Sequence, residues 1–333
     1  MSQPFLGLVS APHTPFRADG DVGGAVAFDV VPALAAHLAA TGVSAVYVAG
    51  ATGEGASLSF AERRDLFDVW AEVGPPLGLR VIAQVGGECV RDSERLAEHV
   101  AGVAGVEALG AIAPRFYAPR SPDVVAQILA RITAAAGGKP TYYYDIPALT
   151  GLPFGARELA EAFARHVPTL RGIKCSRYEG VHVLDYLRAS DGRYDVLAGT
   201  DEALLSALVL GARGAVGSTY NFAAPLYLDL IAAFDAGDLV TARALQARSI
   251  ALVQAIAPFG YLSASRLVMR RLGVDVGPAR LPLAPLDAAA ARALDAALDA
   301  LRFDGGAEGG GFFEWAMGRR GAAQPGSAVG ARA

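Results

Sequence analysis

Short apolar runs alternate with longer amphipathic stretches about eight times over roughly the first 240 residues. The runs are Gly7 to Ser10, Ala45 to Ala49, Val81 to Val85, Leu109 to Ala113, Thr141 to Asp145, Leu170 to Lys174, Asp195 to Ala198 and Ala215 to Ser218. Most are apolar throughout rather than alternating, the pattern of parallel strands covered on both faces. The stretches between them predict helices over 27–41, 60–73, 91–104, 122–136, 156–166, 181–189, 201–211 and 224–236. Two of these have readable starts. Ser59-Phe60-Ala61-Glu62 has the form of a capping box, and Ser121-Pro122 sets a capping hydroxyl before a proline at the first helical position. Eight β/α units of this length predict an α/β fold, a (β/α)8 TIM barrel. The structural alternative is an open doubly wound sheet. No Gly-x-Gly-x-x-Gly turn follows the first run, which removes that fold's usual dinucleotide reading.

The pattern divides the chain into a barrel over 1–237, a helical extension over 238–303 and a tail over 304–333. Helices are expected over Asp238 to Ala257, Tyr261 to Leu272 and Ala288 to Leu301, the last two separated by Gly277-Pro278 and the Pro282 to Pro285 stretch. Beyond Phe303 the chain turns Gly-rich, and such a sequence buries too little apolar surface to offset its ordering entropy. The tail is therefore expected to be largely without order, with local docking open only to the Phe312-Phe313-Glu314-Trp315 cluster.

Composition narrows the function classes. Of 333 residues 53% are apolar, and the formal net charge is −4, which gives no electrostatic case for nucleic acid or an anionic membrane as partner. The N-terminal residues lack the pattern of a secretory signal, and no apolar run reaches the roughly 20 residues that span a bilayer. A soluble cytoplasmic protein is expected. Cys89 and Cys175 form neither a disulfide framework nor a metal spacing. Of the 29 basic residues only Lys139 and Lys174 are lysines, so a lysine set among apolar residues calls for an explanation.

In a barrel of this kind chemistry lies at the C-terminal ends of the strands. The sixth run ends Gly172-Ile173-Lys174. An amine there is partly desolvated, which lowers its pKa and frees a lone pair for attack on a carbonyl. Arginine cannot do this. Taken alone, such a lysine can equally snorkel to solvent or pair with a carboxylate. The fifth run is Thr141-Tyr142-Tyr143-Tyr144-Asp145; alternation places Tyr142 and Tyr144 on the inner face and Tyr143 toward the helices. Tyr144 can move a proton beside Lys174. The turn Gly50-Ala51-Thr52-Gly53-Glu54-Gly55 offers backbone N–H groups to an anion such as a carboxylate, with the Thr52 hydroxyl as a further donor. Acidic and hydroxyl groups at Gly199-Thr200-Asp201-Glu202 and Gly217-Ser218-Thr219-Tyr220-Asn221 suit a polyhydroxylated ligand, although Thr200 can also serve as a helix N-cap. Each signal is weak alone; all fall at the same end of consecutive strands.

These motifs resemble a known family. Gly50-Ala-Thr-Gly-Glu54, Tyr144-Asp-Ile-Pro-Ala-Leu-Thr-Gly151, Gly172-Ile-Lys174 and Gly214-Ala-Val-Gly-Ser-Thr-Tyr-Asn221 are similar to those of the dihydrodipicolinate synthase/N-acetylneuraminate lyase superfamily, from about residue 5 to 300 and most of all in its lyase branch. The resemblance implies a class I aldolase in which Lys174 forms a Schiff base with a 2-keto acid and Tyr144 relays protons. It implies that Ala51 and Thr52 hold the pyruvate carboxylate, and that Ser176, Gly199, Asp201, Glu202 and Ser218 lie along the sugar. The reaction implied is cleavage of N-acetylneuraminate to pyruvate and N-acetylmannosamine, in a homotetramer, with no metal or organic cofactor.

The synthases carry an arginine where this chain has Leu149, and an apolar residue there removes a grip on a second carboxylate. The family usually has Ser or Thr at Ala51, so one hydroxyl of the relay is missing, and Phe116 stands where synthases place a tyrosine supplied by a neighbouring subunit. His13, His37, His99, His166 and His182 share no strand-end placement that would suit a metal aldolase. The rival readings are a sister aldolase or dehydratase acting on another 2-keto acid, and a keto-acid-binding paralogue without turnover.

Overall fold

Eight parallel strands close on one another in the computed structural model, which describes residues 3–303 and 310–319. The barrel strands, numbered in chain order, are β1 (Gly7–Ser10), β2 (Ala45–Val48), β3 (Arg80–Gln84), β4 (Ala108–Ile112), β5 (Thr141–Asp145), β6 (Gly172–Cys175), β7 (Asp195–Ala198) and β8 (Gly214–Gly217). Each pairs with its neighbours in sequence, and β8 returns to β1 with Leu8 opposite Ala215. Closure excludes the doubly wound alternative. The predicted runs match these strands to within about two residues.

Alternation along the strands sorts the side chains into two cores. Outward residues such as Val46, Ala83, Tyr143 and Ile173 meet the helix layer; Tyr143 packs on Phe163, with ring centroids 4.9 Å apart. Inward residues fill the barrel: Val9, Tyr47, Ile82, Tyr142, Tyr144, Leu197 and Val216 form one cluster, closed below by Phe5. Two glycines make room for the rings. A β-carbon on Gly110 would lie 2.1 Å from the Tyr47 hydroxyl, and one on Gly172 2.6 Å from the Tyr142 ring. Below, Asp195 Oδ2 accepts from the Phe5 amide (2.9 Å) and the Tyr142 hydroxyl (2.7 Å), satisfying a carboxylate inside the wall.

The helix starts follow their side chains. Ser59 and Glu62 form the capping box of Phe60–Val73, and Ser121 accepts from the Val124 amide at the head of Pro122–Ala135. Other segments depart from the periodicity. The single helix expected over 201–211 is a 3-10 turn, Asp201–Ala203, followed by Leu204–Val209: the Asp201 carbonyl accepts from the Leu204 amide, while the Leu205 amide, which an α-turn would need, donates to Gln246 Oε1 (2.8 Å). The helix expected over 224–236 begins earlier, at Tyr220, and is interrupted at Ala223, two residues before Pro225. A hairpin, Phe16–Asp19 with Val22–Val26, was not visible as a strand pattern: its charged and glycine residues leave no apolar alternation. It is held from outside the barrel, with Phe16 N–H donating to Val276 O (3.0 Å) and Gly23 N–H to Ala279 O (2.8 Å).

Beyond the barrel, Leu239–Ile256 packs along Tyr220–Asp235, and Tyr261–Arg271 and Ala288–Ala300 follow. Among the described residues no single helix is long and apolar enough to cross a membrane. The tail departs from its expected lack of order at one place: Phe312–Gly318 is a helix, with Phe312 and Trp315 buried against Phe303 and Phe222. The aromatic cluster supplies enough apolar area to dock where the surrounding glycines do not. The remainder, 304–309 and 320–333, lies outside the described residues.

Phe312→Ala is expected to remove roughly 3–5 kcal/mol and to lower the thermal midpoint by several degrees in calorimetry; an unchanged midpoint would mean that the terminal helix adds nothing to stability.

Candidate active site

The strand register brings the two central candidates together. Tyr144 pairs with Lys174 across β5 and β6, and both side chains point inward at the C-terminal mouth. Lys174 is only 3% exposed. Its Nζ lies 3.9 Å from the Tyr144 ring centroid and 4.4 Å from that of Tyr47, which reaches across from β2. The two rings meet edge to face at 5.7 Å. The amine therefore sits on an aromatic floor with the barrel core beneath it.

Burial controls its protonation. Desolvation lowers the Lys174 pKa to about 7, against a counter-pull from the Asp201 carboxylate. A fall from 10.5 to about 7 corresponds to roughly 5 kcal/mol against the ammonium form. The two ring faces favour the cation by only about 0.5–2 kcal/mol each. Desolvation wins. Near neutral pH an appreciable fraction of the amine is free, and an amine in that state can attack a carbonyl carbon.

Burial acts on the phenol in the opposite sense. It raises the pKa of Tyr144, so the hydroxyl stays protonated, and a hydrogen bond with Ser176 opposes that shift. Ser176 Oγ in turn lies 2.9 Å from Gly199 O and donates to it. A β-carbon at Gly199 would approach Ser176 Oγ to 2.2 Å, so the glycine keeps this hydroxyl in place. Four candidates from β5, β6 and β7 thus form one connected group: Tyr144, Lys174, Ser176 and Gly199.

Asp201 is buried beside them. The Thr219 amide (2.9 Å) and hydroxyl (2.6 Å) both donate to its Oδ2, and Thr219 Oγ1 also lies 2.7 Å from Tyr227 Oη. Burial pushes its carboxyl up to about 6, opposed by the Thr219 hydrogen bonds and by Lys174. The expected N-cap role of Thr200 is not realised; its hydroxyl faces the Arg177 carbonyl at 3.4 Å. Glu202 is half-buried at the rim, where the Tyr178 hydroxyl reaches its Oε1 at 3.4 Å. Ser218 Oγ lies 2.7 Å from the hydroxyl of Tyr261, on the first turn of a helix beyond the barrel.

The turn after β2 has the geometry of an anion cradle. Ala49 (φ 56°) and Glu54 (φ 49°) flank it in the left-handed region, a conformation that costs a non-glycine residue energy and clusters at functional sites. Among the described residues, the Ala51 and Thr52 N–H groups and the Thr52 hydroxyl make no hydrogen bond with protein. The turn is anchored from behind. Buried Glu54 accepts from Arg266 Nε (2.8 Å) and Nη2 and from the Arg280 amide (3.0 Å), while Arg266 also donates to Thr14 O (2.9 Å).

All nine candidates, Ala51, Thr52, Tyr144, Lys174, Ser176, Gly199, Asp201, Glu202 and Ser218, stand at this one end of the barrel. Sequence reasoning missed Tyr47, Tyr261 and the Glu54–Arg266 pair, and it read Thr219 as a hydroxyl for a ligand where the structure has it holding Asp201. Tyr47 could have been found by asking which inward residue lies across the barrel from Lys174. Tyr261 and Arg266 had no local signal. Four of the five histidines have other partners: His13 meets Ser265, His37 the Asn221 carbonyl, His99 Asp68 and His166 Asp123. A cavity of about 700 Å³ lies at the opposite end of the barrel, where Lys139 and His166 stand near two helix C-termini, away from this chemistry.

The comparisons agree with the geometry. A sequence profile described as the dihydrodipicolinate synthetase family matches residues 4–301. The chain is 35% identical over 284 residues to a protein of Rattus norvegicus called N-acetylneuraminate lyase, covering 83% of this chain and 86% of that one. The N-acetylneuraminate lyase structure of Proteus mirabilis superposes with a TM-score of 0.84 at 34% identity, over 89% of this chain and 98% of that chain. The Aliivibrio salmonicida N-acetylneuraminate lyase (sialic acid aldolase) gives 0.83 at 33%, over 89% and 98%.

With only two lysines in the chain, ε-labelled lysine gives two assignable NMR signals. The Lys174 signal is expected to titrate with a midpoint near 7. Asp201→Asn should move that midpoint down, since the lost carboxylate favoured the ammonium form. A midpoint above 9 would overturn the burial account.

Proposed function

The chain belongs to the dihydrodipicolinate synthetase family, and from that premise we propose that it is a class I aldolase cleaving N-acetylneuraminate to pyruvate and N-acetylmannosamine. The observation that carries the chemistry is the buried amine of Lys174, its pKa near 7, paired across the strands with Tyr144. The relatives' names carry the substrate.

The free amine of Lys174 attacks C2 of the open-chain keto acid, and water leaves to give an iminium. The Ala51 and Thr52 amides, with the Thr52 hydroxyl, receive the substrate carboxylate. The iminium draws the C3–C4 bonding pair toward nitrogen as the C4 hydroxyl loses its proton, and the aldehyde sugar departs. Because burial keeps the phenol neutral, Tyr144 does not wait as a standing base. It takes up the C4 proton while handing its own on to the substrate carboxylate, directly or through the Thr52 hydroxyl, which gives up its own proton as it receives one. The resulting enamine is protonated at C3, and water then releases pyruvate and the free amine. No metal or organic cofactor enters these steps.

Ser176 answers the departure at Ala51. The family's usual hydroxyl is missing there, but the Tyr144 phenol retains a hydroxyl partner in Ser176. The sugar hydroxyls would meet Gly199, Asp201, Glu202 and Ser218. Leu149, 45% exposed on the short helix Pro147–Thr150, offers the outer part of the substrate an apolar surface rather than a charge.

We further assign a homotetramer in the cytoplasm. Phe116 and Tyr117, 80% and 87% exposed on the β4 loop, favour a subunit contact, and the free thiols of Cys89 and Cys175 suit a reducing compartment. Light scattering is expected to give about four times the chain mass; a monomer at micromolar concentration would refute the assembly.

Incubation with N-acetylneuraminate followed by borohydride and peptide mass spectrometry tests the reaction. A pyruvate-sized adduct on Lys174 is expected, and Lys174→Ala should abolish turnover without loss of fold. An adduct of the whole sugar acid would mean binding without cleavage. Trapping of added pyruvate but of nothing from the sugar acid would discard the substrate while keeping the imine.

A further inference from the structure

One feature next to the active pair has no part in the chemistry above. Asp145 follows Tyr144 at the end of β5, and Arg177 stands three residues beyond Lys174. Asp145 pairs with Cys175 across β5 and β6, so both face the helix layer while Tyr144 and Lys174 face the barrel. There the Asp145 carboxylate accepts from Arg177 Nε (2.5 Å) and Nη2 (3.0 Å), a bidentate pair with side chains 4% and 9% exposed. The Tyr186 hydroxyl, from the helix Gly180–Arg188, donates to Asp145 Oδ2 at 2.9 Å. Arg177 Nη2 also donates to Phe154 O (2.7 Å), where the β5 loop returns. Within the wall, Ser176 N–H donates to Asp145 O (2.8 Å), extending the β5–β6 ladder up to the hydroxyl that meets Tyr144.

The sequence offers no reason for an ion pair at this depth other than position. Two charges withdrawn from water seldom stabilise a fold better than apolar residues of like volume, but their geometry is stiff. This pair ties the residue after Tyr144 to the residue after Ser176. A slip of either strand end would separate the phenol from both the serine and the amine.

Resting on the aldolase reading, we propose that the buried Asp145–Arg177 ion pair is a positioning element that fixes Tyr144 against Ser176 and Lys174 from the outer side of the barrel wall. It touches no substrate and acts only through the phenol. Breaking it therefore slows the proton-transfer step and leaves imine formation at Lys174 intact.

The test combines Asp145→Asn with Tyr144→Phe and measures cleavage of N-acetylneuraminate beside borohydride trapping of pyruvate. Asp145→Asn is expected to lower kcat about tenfold, to change KM less than twofold and to trap pyruvate as the wild type does. In the Tyr144→Phe background it should cost nothing further, because the group that it positions is gone. Should Asp145→Asn fail to fold, the pair-deleted Asp145→Asn/Arg177→Gln variant, which leaves no charge unpaired, carries the same comparison. Equal losses in both backgrounds, or an unchanged kcat, would overturn the positioning role while the aldolase reading stands. Failure of the wild type to trap pyruvate would instead sink the reading, and this proposal with it.

Discussion

The site depends on keeping one amine out of water. Lys174 is the only one of the two lysines placed at the barrel mouth, and its solvation is replaced by the faces of Tyr47 and Tyr144. Tyr47 can reach across to the amine because Gly110 leaves the interior open where its ring crosses, and Gly172 does the same for Tyr142 in the layer below. A looser barrel would admit water, the ammonium form would return, and the same residues would make an ordinary basic patch. Core packing, the strand register and the reactivity of the amine are in this sense one property.

Around that amine the wall is stiffened by charge. Glu54 with Arg266 behind the β2 turn, and Asp145 with Arg177 behind β5 and β6, are both buried ion pairs. Neither makes the fold much more stable than apolar residues would. Both fix a loop that has to present N–H or O–H groups at set positions. The left-handed backbone at Ala49 and Glu54 indicates that the β2 turn would relax without such an anchor.

Much of this was legible because barrels translate sequence into position so directly. A lysine closing an apolar run, and alternation along Tyr142-Tyr143-Tyr144, were enough to place the pair on one face of adjacent strands, and the register confirms that placement. What escaped is what arrives from a distance. Tyr47 sits mid-run on β2, where any aromatic reads as core filling, and its meaning comes from a lysine 127 residues later that only closure brings beneath the same mouth. Asp201 looked like the first residue of a helix; Gln246, on a helix past the barrel, takes the Leu205 amide that an α-turn would have used and leaves a 3-10 bend with a buried side chain. The hairpin Phe16–Asp19 and Val22–Val26 draws its order from the segment near Val276, and so left no local pattern. The terminal helix lies where the sequence leaves local docking open: the aromatic cluster stands out from its glycine-rich surroundings, while the surface that receives it, Phe222 and Phe303, does not.

The Glu54–Arg266 contact joins residues 212 positions apart. A ribosome releasing this chain delivers every barrel strand, Lys174 and Tyr144 included, before the arginine that neutralises Glu54 emerges. Until then the β2 turn holds a carboxylate that must stay wet, and its loop cannot settle against the core. A nascent chain can therefore close its barrel and still lack a formed anion cradle. The cradle is completed only once the segment carrying Arg266 has been added, after every strand of the barrel.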